Sequence, residues 1–97
     1  MRTIAIDFDG VIRDGNNKSY PGVRDAISRL REAGHRIILH SCNNTDFIEK
    51  WMFEQDIRYD GIWGKAGKPV ATVYIDDRGY HFRNWDETLL DMELLLK

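Results

Sequence analysis

Three aliphatic and β-branched runs in this chain each stop abruptly at a cluster of small polar or acidic residues. Thr3-Ile4-Ala5-Ile6 runs into Asp7-Phe8-Asp9-Gly10, Arg36-Ile37-Ile38-Leu39-His40 into Ser41-Cys42-Asn43-Asn44, and the stretch from Val70 to Ile75 into Asp76-Asp77. Short, nearly continuous apolar runs of this kind read as strands buried on both faces, as in a parallel sheet. Between them the periodicity changes to that of helices. Val23, Ala26, Ile27, Leu30 and Ala33 share one face of a predicted helix from Pro21 to Ala33, with Pro21 in the first turn and Gly34 at the left-handed C-terminal position. A second helix, capped by Asn44 or Thr45, presents Phe47, Ile48, Trp51 and Met52. Asp60 to Gly64 is a weaker strand and His81 to Trp85 a possible edge strand. Asp86 caps a last helix whose Leu89, Met92 and Leu96 share a face. Strands alternating with helices imply a three-layer α/β sandwich with a mainly parallel sheet and right-handed crossovers.

Length limits what can be built on that scaffold. A chain of 97 residues hides only about 60–65% of its unfolded surface on folding, so residues 1–97 are expected to form a single domain without a second lobe. Any site is then shallow, or roofed by a partner. Fourteen basic and sixteen acidic residues are interspersed and give a net charge of −2, so no basic stripe marks a nucleic-acid partner. A single cysteine, Cys42, excludes an internal disulfide and favours a reducing compartment, with the cytoplasm as the expectation. No signal-peptide apolar region follows Arg2, and nothing approaches the roughly 20 apolar residues of a membrane span.

The polar ends of the three strands carry the chemistry. In an open parallel sheet, the C-terminal strand ends converge on one crevice, where such folds bind ligands. One strand ending in Asp is ordinary turn chemistry. Four carboxylates gathered from two strands, Asp7, Asp9, Asp76 and Asp77, repel one another unless a cation lies between them, and hard oxygen ligands favour Mg²⁺ over zinc. A cation, a lysine, a hydroxyl and loop N–H groups together suit a phosphoryl group, since each offers charge or a donor to its oxygens. One aspartate can then attack phosphorus while another, two residues on, passes protons at the departing oxygen.

The same residues carry a family resemblance. Asp7-Phe8-Asp9-Gly10-Val11, then Ser41, then Lys68-Pro69, then Asp76-Asp77 resemble, in order, the four motifs of the haloacid dehalogenase-like (HAD) phosphohydrolases, over Thr3 to about Arg78. The resemblance implies a Rossmann-like sheet, Asp7 as the nucleophile forming an aspartyl-phosphate, and Asp9 as general acid and then base. It implies further that Ser41 holds phosphoryl oxygens, that Lys68 offsets charge, and that Mg²⁺ is held by Asp7, the carbonyl of Asp9, and Asp76 or Asp77. Because only Pro69 to Ile75 separates the lysine from the acidic pair, Lys65 competes with Lys68. Neither Val11 to Tyr20 nor Gly64 to Gly67 has room for a cap domain, so a capless member acting on a small phosphorylated substrate is implied.

The neighbouring residues divide between this site and packing. Ser41, Cys42 and Asn43 form the candidate substrate-binding segment, although Asn43 is also a candidate helix cap. The side chains of His40 and Cys42 alternate with Ser41 and are expected to point into packing. His35 and His81 are expected at the surface, and Trp51, Trp63 and Trp85 in packing. A partly exposed leucine face on the last helix would support a homo-oligomer. Two other functional classes compete. A receiver-like phospho-acceptor would carry its acidic pair at the first strand, whereas here the adjacent pair comes late. A non-catalytic binding protein would have no use for an intact Asp7 and Asp9.

Overall fold

The computed structural model describes residues 2–63, 71–76 and 80–96, with the side chain of Tyr80 excepted. Along the chain run β1 (Thr3–Asp7), α1 (Val23–Glu32), β2 (Arg36–His40), α2 (Thr45–Glu54), β3 (Gly61–Trp63), β4 (Val73–Asp76), β5 (Tyr80–His81) and α3 (Trp85–Leu95). The sheet order is β3-β2-β1-β4-β5, and every neighbouring pair is parallel. The α/β sandwich on a parallel sheet expected from the alternation is therefore the fold observed.

Register decides which residues share a face. Ile4 pairs with Ile37 and Val73, and Ile6 with Leu39 and Ile75, so these apolar side chains stack across β1, β2 and β4 on one side. The crossovers β1-α1-β2 and β2-α2-β3 step in the same direction, which places α1 and α2 on the same face. α3 packs beside α1. Val23, Ala26, Ile27 and Leu30 of α1, Ile48, Trp51 and Met52 of α2, and Trp85 and Met92 of α3 close one core with the strand residues. Ala5 and Ile38 point the other way and are 2% and 8% exposed, so the opposite face of the sheet is also covered at these positions.

Element ends depart from the sequence expectations where backbone conformation intervenes. Gly22 adopts φ 82° and α1 begins at Val23, so Pro21 lies before the helix rather than in its first turn. A Cβ at Gly22 would stand 3.6 Å from Trp85 Cβ, which fits the close approach of α1 and α3. Gly34 is left-handed as expected, at φ 92°. Asn44 caps α2 by accepting from Phe47 N–H. The cap of α3 is Asn84, which accepts from Glu87 N–H at 2.9 Å, and Trp85, read as the end of an edge strand, opens that helix. A cap must stand just outside the helix with extended backbone, as Asn84 does, and that excludes Asp86. On α3, Leu90, Leu94 and Leu95 are exposed while Trp85, Thr88 and Met92 face the core. No described helix is long and apolar enough to cross a membrane.

Asp60 holds the short edge strand in place. Its carboxylate accepts from Ile37 N–H at 2.8 Å and from Arg31 of α1, while its own N–H donates to Ile37 C=O. Burial alone would raise the Asp60 pKa. The Arg31 and Ile37 hydrogen bonds, with the charges of Arg31 and Arg36, outweigh it and hold the carboxyl below its ordinary 3.8. A depressed folded-state value stabilises the fold above the unfolded pKa, and that contribution is lost as pH falls through the folded value. Asp60→Asn is expected to lower the melting temperature at neutral pH, with the gap to wild type closing below about pH 4. For the caps, Asn84→Ala should cost about 1 kcal/mol in denaturant unfolding, and Asp86→Ala only about 0.3–0.5 kcal/mol through the helix dipole.

Candidate active site at the ends of β1, β2 and β4

The chain builds β1, β2 and β3 outward in one direction and then returns to place β4 on the other side of β1. That reversal opens a crevice at the C-terminal ends of β1 and β4, the usual ligand position in such sheets. Ile6 pairs with Ile75, so Asp7 and Asp76 follow side by side at the strand ends. With Asp9, Gly10 and His81 they line a cleft of about 220 Å³. A larger groove of about 730 Å³ lies elsewhere, bounded by Arg31, His35, Arg36, Arg58 and Asp60. Only the smaller one gathers carboxylates from two strands, and it is the candidate active site on chemistry rather than on size.

Asp76 is 5% exposed, whereas Asp7 is about one-third exposed at the crevice. Asp9 lies beyond the bend at Phe8 and pairs with Arg13 in an isolated bridge, and Gly10 at φ 87° turns the chain back so that its N–H donates to Arg13 C=O. Arg13 grips Asp9 Oδ1 through Nη2 at 2.7 Å and Nε at 2.9 Å. Asn43 Nδ2 donates to Asp9 Oδ2 at 3.2 Å. One loop after β1 and one after β2 are thereby tied together at this carboxylate.

The segment after β2 is pre-shaped. Ser41 Oγ accepts from Asn43 N–H at 3.0 Å, which leaves the hydroxyl its own O–H to donate. Asn43 Oδ1 accepts from Asn44 N–H at 2.8 Å. Asn43 therefore does not cap α2, since Asn44 does, and its amide serves Asp9 instead. Cys42 is exposed and is not the packing residue its alternation suggested, because β2 ends at His40 and the strand periodicity ends with it. Lys65, Lys68 and Asp77 lie outside the described residues. Among those described, no three His, Cys, Asp or Glu side chains gather into a metal cage.

The segment from Val11 to Tyr20 forms a hairpin rim. Asp14 N–H donates to Lys18 C=O and Tyr20 N–H to Ile12 C=O, and the Asp14 carboxylate accepts from the N–H groups of Asn16 and Lys18. Two indoles fasten it: Trp51 of α2 donates to Asn17 Oδ1 at 3.1 Å, and Trp85 of α3 donates to Val11 C=O at 3.0 Å.

Sequence reasoning missed His40 and Arg13. His40 pairs with Asp7 across β1 and β2, so the two share a face and Nδ1 stands 3.8 Å from Asp7 Oδ1. The register that places it there is not a local property of the sequence. Arg13 lies four residues after Asp9, and its signal was that spacing within a turn. His35, expected at the surface, is half-buried, and burial with the nearby Arg2 charge lowers its pKa. His81 is exposed as expected.

No family model matches the chain, and no curated protein matches it. A solved structure, that of a conserved protein coded by a locus from Bacteroides thetaiotaomicron, is similar at a TM-score of 0.79 and 23% identity, over 99% of this chain and 92% of that one. At that identity the likeness shows the α/β fold alone.

Asn17, left-handed at φ 63°, accepts from both Trp51 and Arg13, so it couples the rim to α2. Asn17→Gly keeps the backbone permitted and removes both bonds. Amide exchange at Lys18 and Tyr20 is expected to accelerate roughly fivefold, corresponding to about 1 kcal/mol for a lost hydrogen bond.

Proposed function

We propose that the protein is a Mg²⁺-dependent phosphomonoester hydrolase that works through an aspartyl-phosphate. The observation that carries this reading is the side-by-side placement of Asp7 and Asp76 at the reversal of strand order, with Asp9 two residues beyond on the same cleft. The motif order that resembles the HAD phosphohydrolases supports it. So does the loop of Ser41 and Asn43, in which the Ser41 hydroxyl accepts from Asn43 N–H and the Asn43 amide donates to Asp9.

Mg²⁺ is usually held by one or two carboxylates with water completing its shell, rather than by an all-protein cage. Asp7 and the largely buried Asp76 are such a set, with the Asp9 carbonyl and Asp77 as further ligands implied by the resemblance. When bound, the ion offsets charge between these carboxylates and the phosphoryl oxygens.

In the proposed reaction an Asp7 carboxylate oxygen forms a bond to phosphorus as the ester P–O bond breaks. Asp9 passes a proton to the departing oxygen. Asp9 then takes a proton from a water whose oxygen bonds to phosphorus, the bond between phosphorus and the Asp7 oxygen breaks, and Asp7 is regenerated as a carboxylate with release of phosphate. The Ser41 hydroxyl donates to a phosphoryl oxygen, and Lys68 or Lys65 supplies positive charge. Asp9 separates this reading from the phospho-acceptor one, since a positioned acid and base is what lets a phosphoenzyme turn over.

Phosphate release from an aryl phosphate with Mg²⁺ tests the proposal. Asp7→Asn is expected to fall to background, and Asp9→Asn by on the order of 10²–10⁴-fold. Mg²⁺ should raise the melting temperature of wild type through binding to the folded state. Absence of phosphate release by wild type across a broad panel of monoesters, or full activity in Asp7→Asn, would sink it.

A further inference from the structure

The rim of the cleft holds a guanidinium that the proposed chemistry leaves without a role. Arg13 bonds Asp9 through two nitrogens and Asn17 Oδ1 through a third at 3.1 Å. Its Cζ lies 4.9 Å from the centroid of Phe47 and 5.5 Å from that of Phe8, rings that themselves pack edge to face. The side chain is 22% exposed, and its carboxylate partner lines the cleft.

Two requirements meet at this residue. To act as acid and base, Asp9 must present an oxygen to the leaving group, yet three donors from Arg13 and Asn43 hold its two oxygens. Arg13 leaves Asp9 most readily when another anion takes the guanidinium in its place. The fork of donors matches a carboxylate or a phosphate, and the two aromatic rings support the cation while its partner changes. The nearest acidic alternative in the rim, Asp14, is engaged with the N–H groups of Asn16 and Lys18. Among the described residues of the rim no other carboxylate stands ready to replace Asp9, and an anionic group of the substrate can do so.

We infer that Arg13 determines specificity. It exchanges Asp9 for a second anionic group on the leaving-group side of the substrate, and that exchange frees Asp9 to meet the departing oxygen. The substrate class is then phosphomonoesters that carry an additional carboxylate or phosphate, in preference to those with a neutral leaving group. This inference rests on the phosphatase reading of the same cleft.

Matched probes separate the two ideas. Phosphoglycolate is compared with ethylene glycol monophosphate, and propane-1,3-diol bisphosphate with the monophosphate, for wild type, Arg13→Gln and Arg13→Lys, each checked for folding by its melting curve. Wild type is expected to favour the charged member of at least one pair by about tenfold or more in kcat/KM, the scale of a charge-assisted hydrogen bond. Which pair shows the preference tells a carboxylate from a phosphate. Arg13→Gln should bring that ratio close to one, with KM for the charged probe rising, and Arg13→Lys should keep part of it. Should the Gln variant not fold, a lysine variant with an undiminished ratio overturns the inference. A wild-type ratio near one on both pairs, or an unchanged ratio in Arg13→Gln, overturns it while leaving the phosphatase reading intact. No phosphate from any probe with Mg²⁺ overturns both.

Discussion

β1 is hydrogen-bonded along both edges, to β2 through five register pairs and to β4 through three. That double pairing fixes what stands at its polar end. Because both neighbours are parallel, all three strands deliver their C-terminal residues to the same side of the molecule, and their registers bring Asp7 level with His40 and beside Asp76. A slip of one residue in either pairing would turn Asp7 onto the opposite face from its neighbours and also expose Ile4 and Ile6. Hydrophobic burial on one face of the sheet is thus the force that holds the carboxylates of the other in position. Fully burying an aliphatic side chain is worth about 1.5–3 kcal/mol. Ile4, Ile6, Ile37, Leu39 and Ile75, each at 0% exposure, therefore outweigh the electrostatic cost of placing two acidic strand ends together.

Beyond the strands, order at the site depends on polar contacts of a different kind. Asp9 is about half exposed, and its ion pair with Arg13 is screened by water, so it adds little to global stability. What it does fix is direction. Arg13, Asn43 and Asn17 form a chain of donors and acceptors running from the loop after β1 to the loop after β2 and on to Trp51. Bonds of modest strength at an exposed carboxylate can be exchanged for others, whereas the sheet below them is held by paired strands and buried side chains.

Much of the architecture was legible in the sequence because apolar runs and helical spacing are local signals. Arg36 to His40 forms a strand with those same ends, and the apolar face of α1 is the buried one. The approach of the loop after β2 to the one after β1, where Asn43 meets Asp9, followed from strand direction. Details that depend on conformation at a single residue were not legible. Gly22 in the left-handed region delays α1, and Asn84 rather than Asp86 caps α3, although both are reasonable caps by residue type. His40 was missed because strand alternation gives side-chain direction only relative to the same strand. Its approach to Asp7 depends on the pairing of two strands thirty or more residues apart.

The fastening of the hairpin bears on how such a chain could acquire new parts. Trp51 and Trp85 grip it at Asn17 and Val11, so extra residues near either point would disturb both core helices. Gly15 and Asn16, by contrast, are exposed at the tip, and lengthening a surface loop there adds closure entropy only slowly, about 0.6 kcal/mol per doubling. The tip is the tolerant place for an insertion, and it lies on the loop that leaves the C-terminal end of β1. A covering module could be added at that point without redesigning the core beneath it.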